Sequence, residues 1–233
     1  MSVHRCKPTM LAVLALGGLC SVRGSAAPPV QEERPGQFQS TALGTPSLAG
    51  NAEVKPSGKG MTITAAGTDI WDREDEGHFV FRRLSGDAVV VVRIESLIRT
   101  DEWAKGGIMF REDLSPDSRH VSLLYTPRPL AAFQHRPDKG GITSTKHIEG
   151  VAAPAWLKVE RFGRRFSAWV SGSGVRWRRV GHADLELPHE LCVGLVVSSH
   201  NAGKYTTAVF SDVAIRPILN LAVPLDVAPT MGE

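Results

Sequence analysis

The side chains of this 233-residue chain that could do chemistry are its carboxylates, its histidines and a set of planar polar and aromatic groups in its middle third. Retaining glycoside hydrolysis needs two carboxyls about 5–5.5 Å apart. Asp72 with Glu74, Asp75 and Glu76, and Glu112 with Asp113, fall in turns or at strand ends, where solvated carboxylates belong. Glu95 and Glu160 are the mid-strand carboxylates and are isolated in sequence. The pattern disfavours hydrolysis. Zinc needs clustered ligands, and the seven histidines after Pro28 form no His-x-x-x-His pair.

Sugar recognition asks for flat apolar surfaces against C–H faces and planar polar groups that fork onto hydroxyls. Alternation along strands can assemble such a face. In Ile108-Met-Phe-Arg111 the arginine points with Met109, and in Phe133-Gln-His-Arg136 Gln134 and Arg136 share a side. Trp169 alternates against Phe166, Ala168 and Val170 and is expected on the non-core side of its strand. The expected ligand-binding set is Arg111, Gln134, Arg136 and Trp169, with His78, His200, Asn201 and Trp71 at the rim. The alternative is that the arginines pair with carboxylates to hold the sheet. Trp103, Trp156 and Trp177 lie at strand ends or hairpins and are read as packing residues.

These groups need strands to position them. Period-two patterning marks twelve: 61–65, 78–84, 88–98, 107–111, 120–125, 131–136, 142–147, 156–162, 165–171, 175–180, 191–198 and 206–216. Gly163 and the Ser171-Gly-Ser-Gly174 run supply hairpins. No segment carries a 3.6-residue apolar stripe over three turns, so the expected fold is all-β, a two-sheet antiparallel sandwich of jelly-roll type spanning 61–216.

The flanks read differently. Residues 1–27 run from His4, Arg5 and Lys7 through the apolar Met10–Leu19 to Gly24-Ser-Ala-Ala27, the order of a secretory signal peptide, which implies a secreted or periplasmic protein. The apolar run breaks at Ser21-Val-Arg23, too early for a transmembrane segment. Cys20 ends that run as in a lipoprotein leader, but Leu19 stands where a small residue is usual. Residues 28–60, rich in Pro and Gly, read as a flexible spacer, and 217–233 as a C-terminal tail. Loss of the leader leaves Cys192 alone, read as packing between Leu191 and Val193. Three of the 27 Lys and Arg residues precede Pro28, so 24 then face 24 Asp and Glu. That balance excludes the basic surplus of a nucleic-acid binder.

Several runs together resemble a bacterial branch of the concanavalin A-like lectin/glucanase superfamily, the "regulation of enolase protein" type domains. They are Asp69-Ile-Trp71, Gly77–Phe81, Leu84-Ser-Gly-Asp87, Trp103–Arg111, Ser118-Arg-His120, Phe133-Gln134 with Arg136, Trp156-Leu-Lys158, Ser198–Gly203 and Ala208–Val213. Two positions depart from that pattern: Asp72 replaces a glycine, and Ser173 precedes Gly174 where Asp is usual. The resemblance implies a glycan-binding type of scaffold. The Glu-x-Asp-x-x-Glu motif of related glucanases is missing from every expected strand. Lectin-like sandwiches that hold calcium make Asp69, Asp72 and Asp212 candidate ligands for that ion. The expected function is a secreted, non-catalytic carbohydrate-binding module for cell-surface or extracellular polysaccharide. The alternatives are an assembly module for an exported protein partner, or a glycan-cleaving enzyme with an unfamiliar residue set.

Overall fold

The computed structural model describes residues 37–218. The chain opens with β1 (Gln39–Leu43), β2 (Asn51–Val54) and β3 (Gly60–Gly67). β4 (Ile70–Trp71) and β5 (Glu74–Asp75) pair with each other alone. β6 (Gly77–Ser85), β7 (Ala88–Leu97), β8 (Lys105–Arg111), β9 (His120–Thr126), β10 (Leu130–Arg136) and β11 (Ser144–Glu149) follow. β12 (Ala155–Phe162), β13 (Arg165–Ser171), β14 (Arg178–Asp184), β15 (Glu190–Ser198) and β16 (Asn201–Pro217) complete the order. Each of the twelve expected strands has a counterpart, with those expected at 142–147 and 175–180 displaced to Ser144–Glu149 and Arg178–Asp184, and no helix among the described residues is long and apolar enough to cross a membrane.

Two seven-stranded antiparallel sheets form the sandwich. Sheet A runs β1-β6-β15-β8-β9-β10-β11 and sheet B runs β14-β13-β12-β7-β16-β3-β2. Between them Val90, Val92, Ile94, Leu157 and Val159 of sheet B meet Ile108, Phe110, Leu123, Phe133 and Leu195 of sheet A. Phe110 meets Phe166 edge to face at 5.6 Å across the layers. Burying each such side chain contributes about 1.5–3 kcal/mol.

Sheet A is buried on its other face as well. Leu43, Ile70, Phe79, Phe81, Met109, Leu124, Cys192 and Val196 make a second apolar cluster there, with Phe79 and Phe81 stacked at 5.1 Å. Ile70 carries the β4–β5 hairpin onto this cluster. Cys192 is a free thiol whose pKa burial pushes up, consistent with packing.

The spacer expectation is corrected for residues 39–60. β1 pairs with β6 and β2 with β3, so both sheets recruit these residues at their edges. Their composition is polar because edge strands keep one face in water. The leader expected over residues 1–27, residues 28–36 and the tail beyond 218 lie outside the described residues.

Candidate functional site

The outer face of sheet A divides into a sealed ionic cluster and an open cleft. At the sealed end Asp75 of β5 lies under three basic side chains. Arg136 reaches it through both terminal nitrogens, at 2.7 and 3.0 Å, and Arg111 at 3.3 Å. All three side chains have no solvent exposure. Arg136 also donates to the carbonyls of Trp71, Asp72, Pro116 and Ser118, and Arg111 to those of Asp113 and Ser115. His120 Nε2 stands 3.7 Å from Asp75. Burial first, then Arg136 and Arg111, hold this imidazole's pKa down to about 3 against the pull of Asp75.

The expectation that Arg111 and Arg136 face a ligand is therefore corrected. Alternation placed them on one face with Gln134, as found, but the β4–β5 hairpin covers that end and takes both guanidiniums as its anchor. Such a cluster stays buried only because each charge is paired and hydrogen-bonded.

Beyond the hairpin the same face opens into a cleft of about 400 Å³. Its floor follows the sheet register: Ser122, Gln134 and Thr145 face one another across β9, β10 and β11, and Leu124, Ala132 and His147 form the next row. Gln134 is 3% exposed, and its Oε1 and the neighbouring Ser122 hydroxyl have no hydrogen-bond partner among the described residues. A buried acceptor without a partner carries a desolvation cost that a ligand hydroxyl would relieve.

Two indoles stand at the walls. Trp71 ends β4 at 36% exposure and Trp103 is 37% exposed. Trp103 is set by a turn in which its backbone N–H donates to Asp101 Oδ1 at 2.8 Å, and Arg128 lies 5.3 Å from its ring centroid. Between the indoles Asp69 forms an ion pair with Lys105, and its other oxygen lies 3.2 Å from His200 Nδ1. Lys105 is 3% exposed, and burial lowers its pKa while Asp69 opposes the shift. His200 adopts a left-handed backbone, φ 52°, in the turn between β15 and β16. Asn201 Oδ1 accepts from the Gly203 N–H at 3.1 Å, so Asn201 shapes that turn and is not among the cleft's lining residues.

Four expected residues thus line this cleft: Gln134, Trp71 and His200, expected as ligand groups, and Asp69, expected as a metal ligand and found paired with Lys105. The rest do not join them. Trp169 lies on the outer face of sheet B, in the opposite layer, because β13 belongs to that sheet. His78 points inward from β6, 6% exposed, with its Nε2 2.7 Å from the Ser40 hydroxyl. Asp72 acts through its backbone: its carbonyl accepts from Thr143 N–H and hydroxyl at 2.9 and 2.8 Å. Its φ of 47° is a conformation suited to glycine, which accounts for the glycine in the resembling pattern. Asp212 sits at an irregularity of β16 in sheet B. The three expected calcium ligands are not brought together, since Asp69 pairs with Lys105 on the sheet A side and Asp212 belongs to sheet B.

Trp103, Lys105, Thr126, Thr145 and His147 line the cleft and were not expected to. Parity carried the signal for Lys105, which shares a face with Met109 and Arg111. For Trp103, position at a strand end was equally compatible with packing.

No family model and no curated protein matches the chain. Solved structures do. A functionally unknown protein from Saccharomyces cerevisiae aligns at 18% identity over 78% of this chain and 97% of its own, TM-score 0.58. Carbohydrate-binding module CBM66 from Bacillus subtilis aligns at 20% identity over 76% of this chain and 94% of its own, TM-score 0.51. The GH43 protein BlXynB from Bacillus licheniformis aligns at 17% identity and TM-score 0.55 over 67% of this chain, which spans 32% of that longer protein. At these identities the likeness shows a shared jelly-roll sandwich of the concanavalin A-like kind and nothing finer.

Proposed function

We propose that the domain binds carbohydrate in the cleft on the outer face of sheet A. The observation that carries this reading is the pair of half-exposed indoles, Trp71 and Trp103, flanking a floor in which the Gln134 carbonyl oxygen is buried without a partner. The indoles offer apolar faces to sugar C–H groups, and Gln134, Thr126, Thr145 and His147 offer hydroxyl-sized polar contacts. The volume, about 400 Å³, falls in the range of small-ligand sites, about 300–1,000 Å³.

The reading is non-catalytic. Among the described residues lining the cleft Asp69 is the one carboxylate, and Lys105 engages it, so paired-carboxylate hydrolysis has no second group there. Four of the runs behind the resemblance to "regulation of enolase protein" type domains, Asp69–Trp71, Trp103–Arg111, Phe133-Gln134 and Ser198–Gly203, contribute residues to the cleft. A leader in residues 1–27 fits a target outside the cytoplasm, a cell-wall or extracellular polysaccharide.

A glycan array probed with residues 28–233 tests the proposal, followed by calorimetry on any hit. Trp103→Ala should weaken binding at least about tenfold, equivalent to about 1.4 kcal/mol, with an unchanged circular dichroism spectrum. Undiminished affinity in a Trp71→Ala/Trp103→Ala double variant, or an array without hits, would overturn it.

A further inference from the structure

The opposite layer carries a second surface that the cleft reading does not use. Trp156 of β12 and Trp169 of β13 both point to the outer side of sheet B, and Trp177 stands just before β14. Lys158, cross-strand partner of Trp169, holds its ammonium 4.4 Å from that ring's centroid and 4.9 Å from that of Trp177. Glu160 takes the same ammonium at 2.9 Å, so this cation is spent on fixing the two indoles. The turn 172–177 lies directly on Trp156, since a Cβ at Gly174 would stand 2.9 Å from that ring and its φ is +75°.

This turn separates two depressions. The larger, about 750 Å³, is lined by Trp156 and Trp177 with Lys59, Arg216 and Asp212. The smaller, about 410 Å³, is walled by Arg176 and Arg178 among small residues. Lys59, Arg176, Arg179 and Arg216 are exposed and have no carboxylate partner among the described residues. Arg178 donates to a carbonyl, that of Glu149, at 3.3 Å. Asp212 is the one carboxylate lining either depression among the described residues. Positive charge is thus gathered around a tryptophan cluster in a chain whose charges balance after residue 28.

We propose that this face is a separate binding site for an acidic polysaccharide, whose carboxylate or sulfate groups pair with Arg176, Arg178, Lys59 and Arg216 while its rings rest on Trp156 and Trp177. Guanidinium groups fork onto carboxylate and sulfate oxygens with two parallel hydrogen bonds. Indoles between the cations supply the apolar contact that a purely ionic patch lacks. The cations are split between two depressions rather than set in a continuous track, and acids and bases balance after residue 28, which favours a polysaccharide over a nucleic acid.

Calorimetry with polygalacturonate and with heparin, on residues 28–233, tests this. Arg176→Ala/Arg178→Ala should lower the affinity for one or both polymers at least tenfold at low salt. Trp177→Ala, which leaves net charge unchanged, should lower it about fivefold, and rising salt should weaken the wild-type protein. Trp103→Ala in the sheet A cleft should leave this binding intact, so the two sites fail separately. The proposal is overturned if neither polymer binds, if Trp177→Ala and its milder companion Trp177→Leu bind like wild type, or if single-stranded DNA or phosphatidylglycerol vesicles bind as tightly as the polysaccharides.

Discussion

At the scale of single residues, Asp75 holds the outer face of sheet A together. Its carboxylate compensates two guanidiniums with no solvent exposure. Asp75→Asn should destabilise the fold by about 3–5 kcal/mol, because it strands buried charge. Urea denaturation measures this, and a loss below about 1 kcal/mol would mean the arginines find other partners. His120 gives the cluster a pH signature. Its folded pKa lies near 3 against an ordinary 6.5, so the unfolded chain binds the proton first as pH falls. Stability is therefore complete above about pH 6.5 and declines toward pH 3, with a slope approaching about 1.4 kcal/mol per pH unit. Burial lowers His78 and His135 in the same sense, so they steepen the decline. His120→Leu should flatten it, and urea midpoints that fall equally steeply in wild type and variant would contradict this. Sequence alternation placed Arg111, Gln134 and Arg136 on one face correctly. It did not show which of them the hairpin covers, because Asp75 lies 36 and 61 residues away from the two arginines and looks like any turn carboxylate.

At the scale of elements, the sequence pattern is clearest where period two is clean and faintest where both faces of a strand are covered. Every residue of β8 and β9 is buried, although alternation suggested a wet outer side. The hairpin β4–β5 is too short for any periodicity, so the element that seals half the face was not legible. Glycine makes the close strand approach possible: a Cβ at Gly194 would lie 1.9 Å from the Val80 carbonyl oxygen, within the hydrogen-bonded sheet. Gly194→Ala should force β6 and β15 apart and cost about 1–3 kcal/mol by overpacking. A thermal midpoint equal to that of wild type would show that the strands yield freely.

At the scale of the whole molecule, two layers present two unlike surfaces: a nearly charge-balanced cleft on sheet A and a basic, tryptophan-bearing face on sheet B. Composition hid this, since the acids and bases cancel after residue 28. It also hid β1 and β2, which carry no Pro or Gly themselves but stand in a Pro- and Gly-rich stretch that resembles a linker, although each forms one edge of its sheet. A chain starting at residue 61 should aggregate or fail to unfold cooperatively, whereas one starting at residue 28 should fold. Equal cooperativity in calorimetric melting would show that these strands are dispensable. The five tryptophans divide the two surfaces, with Trp71 and Trp103 at the cleft and Trp156, Trp169 and Trp177 on the other layer. Their indole N–H signals, followed by ¹⁵N NMR while a neutral glycan identified on an array is added, therefore report where sugar binds. Binding in the cleft predicts movement of the Trp71 and Trp103 signals with the other three still; stationary Trp71 and Trp103 signals at saturating glycan would contradict it.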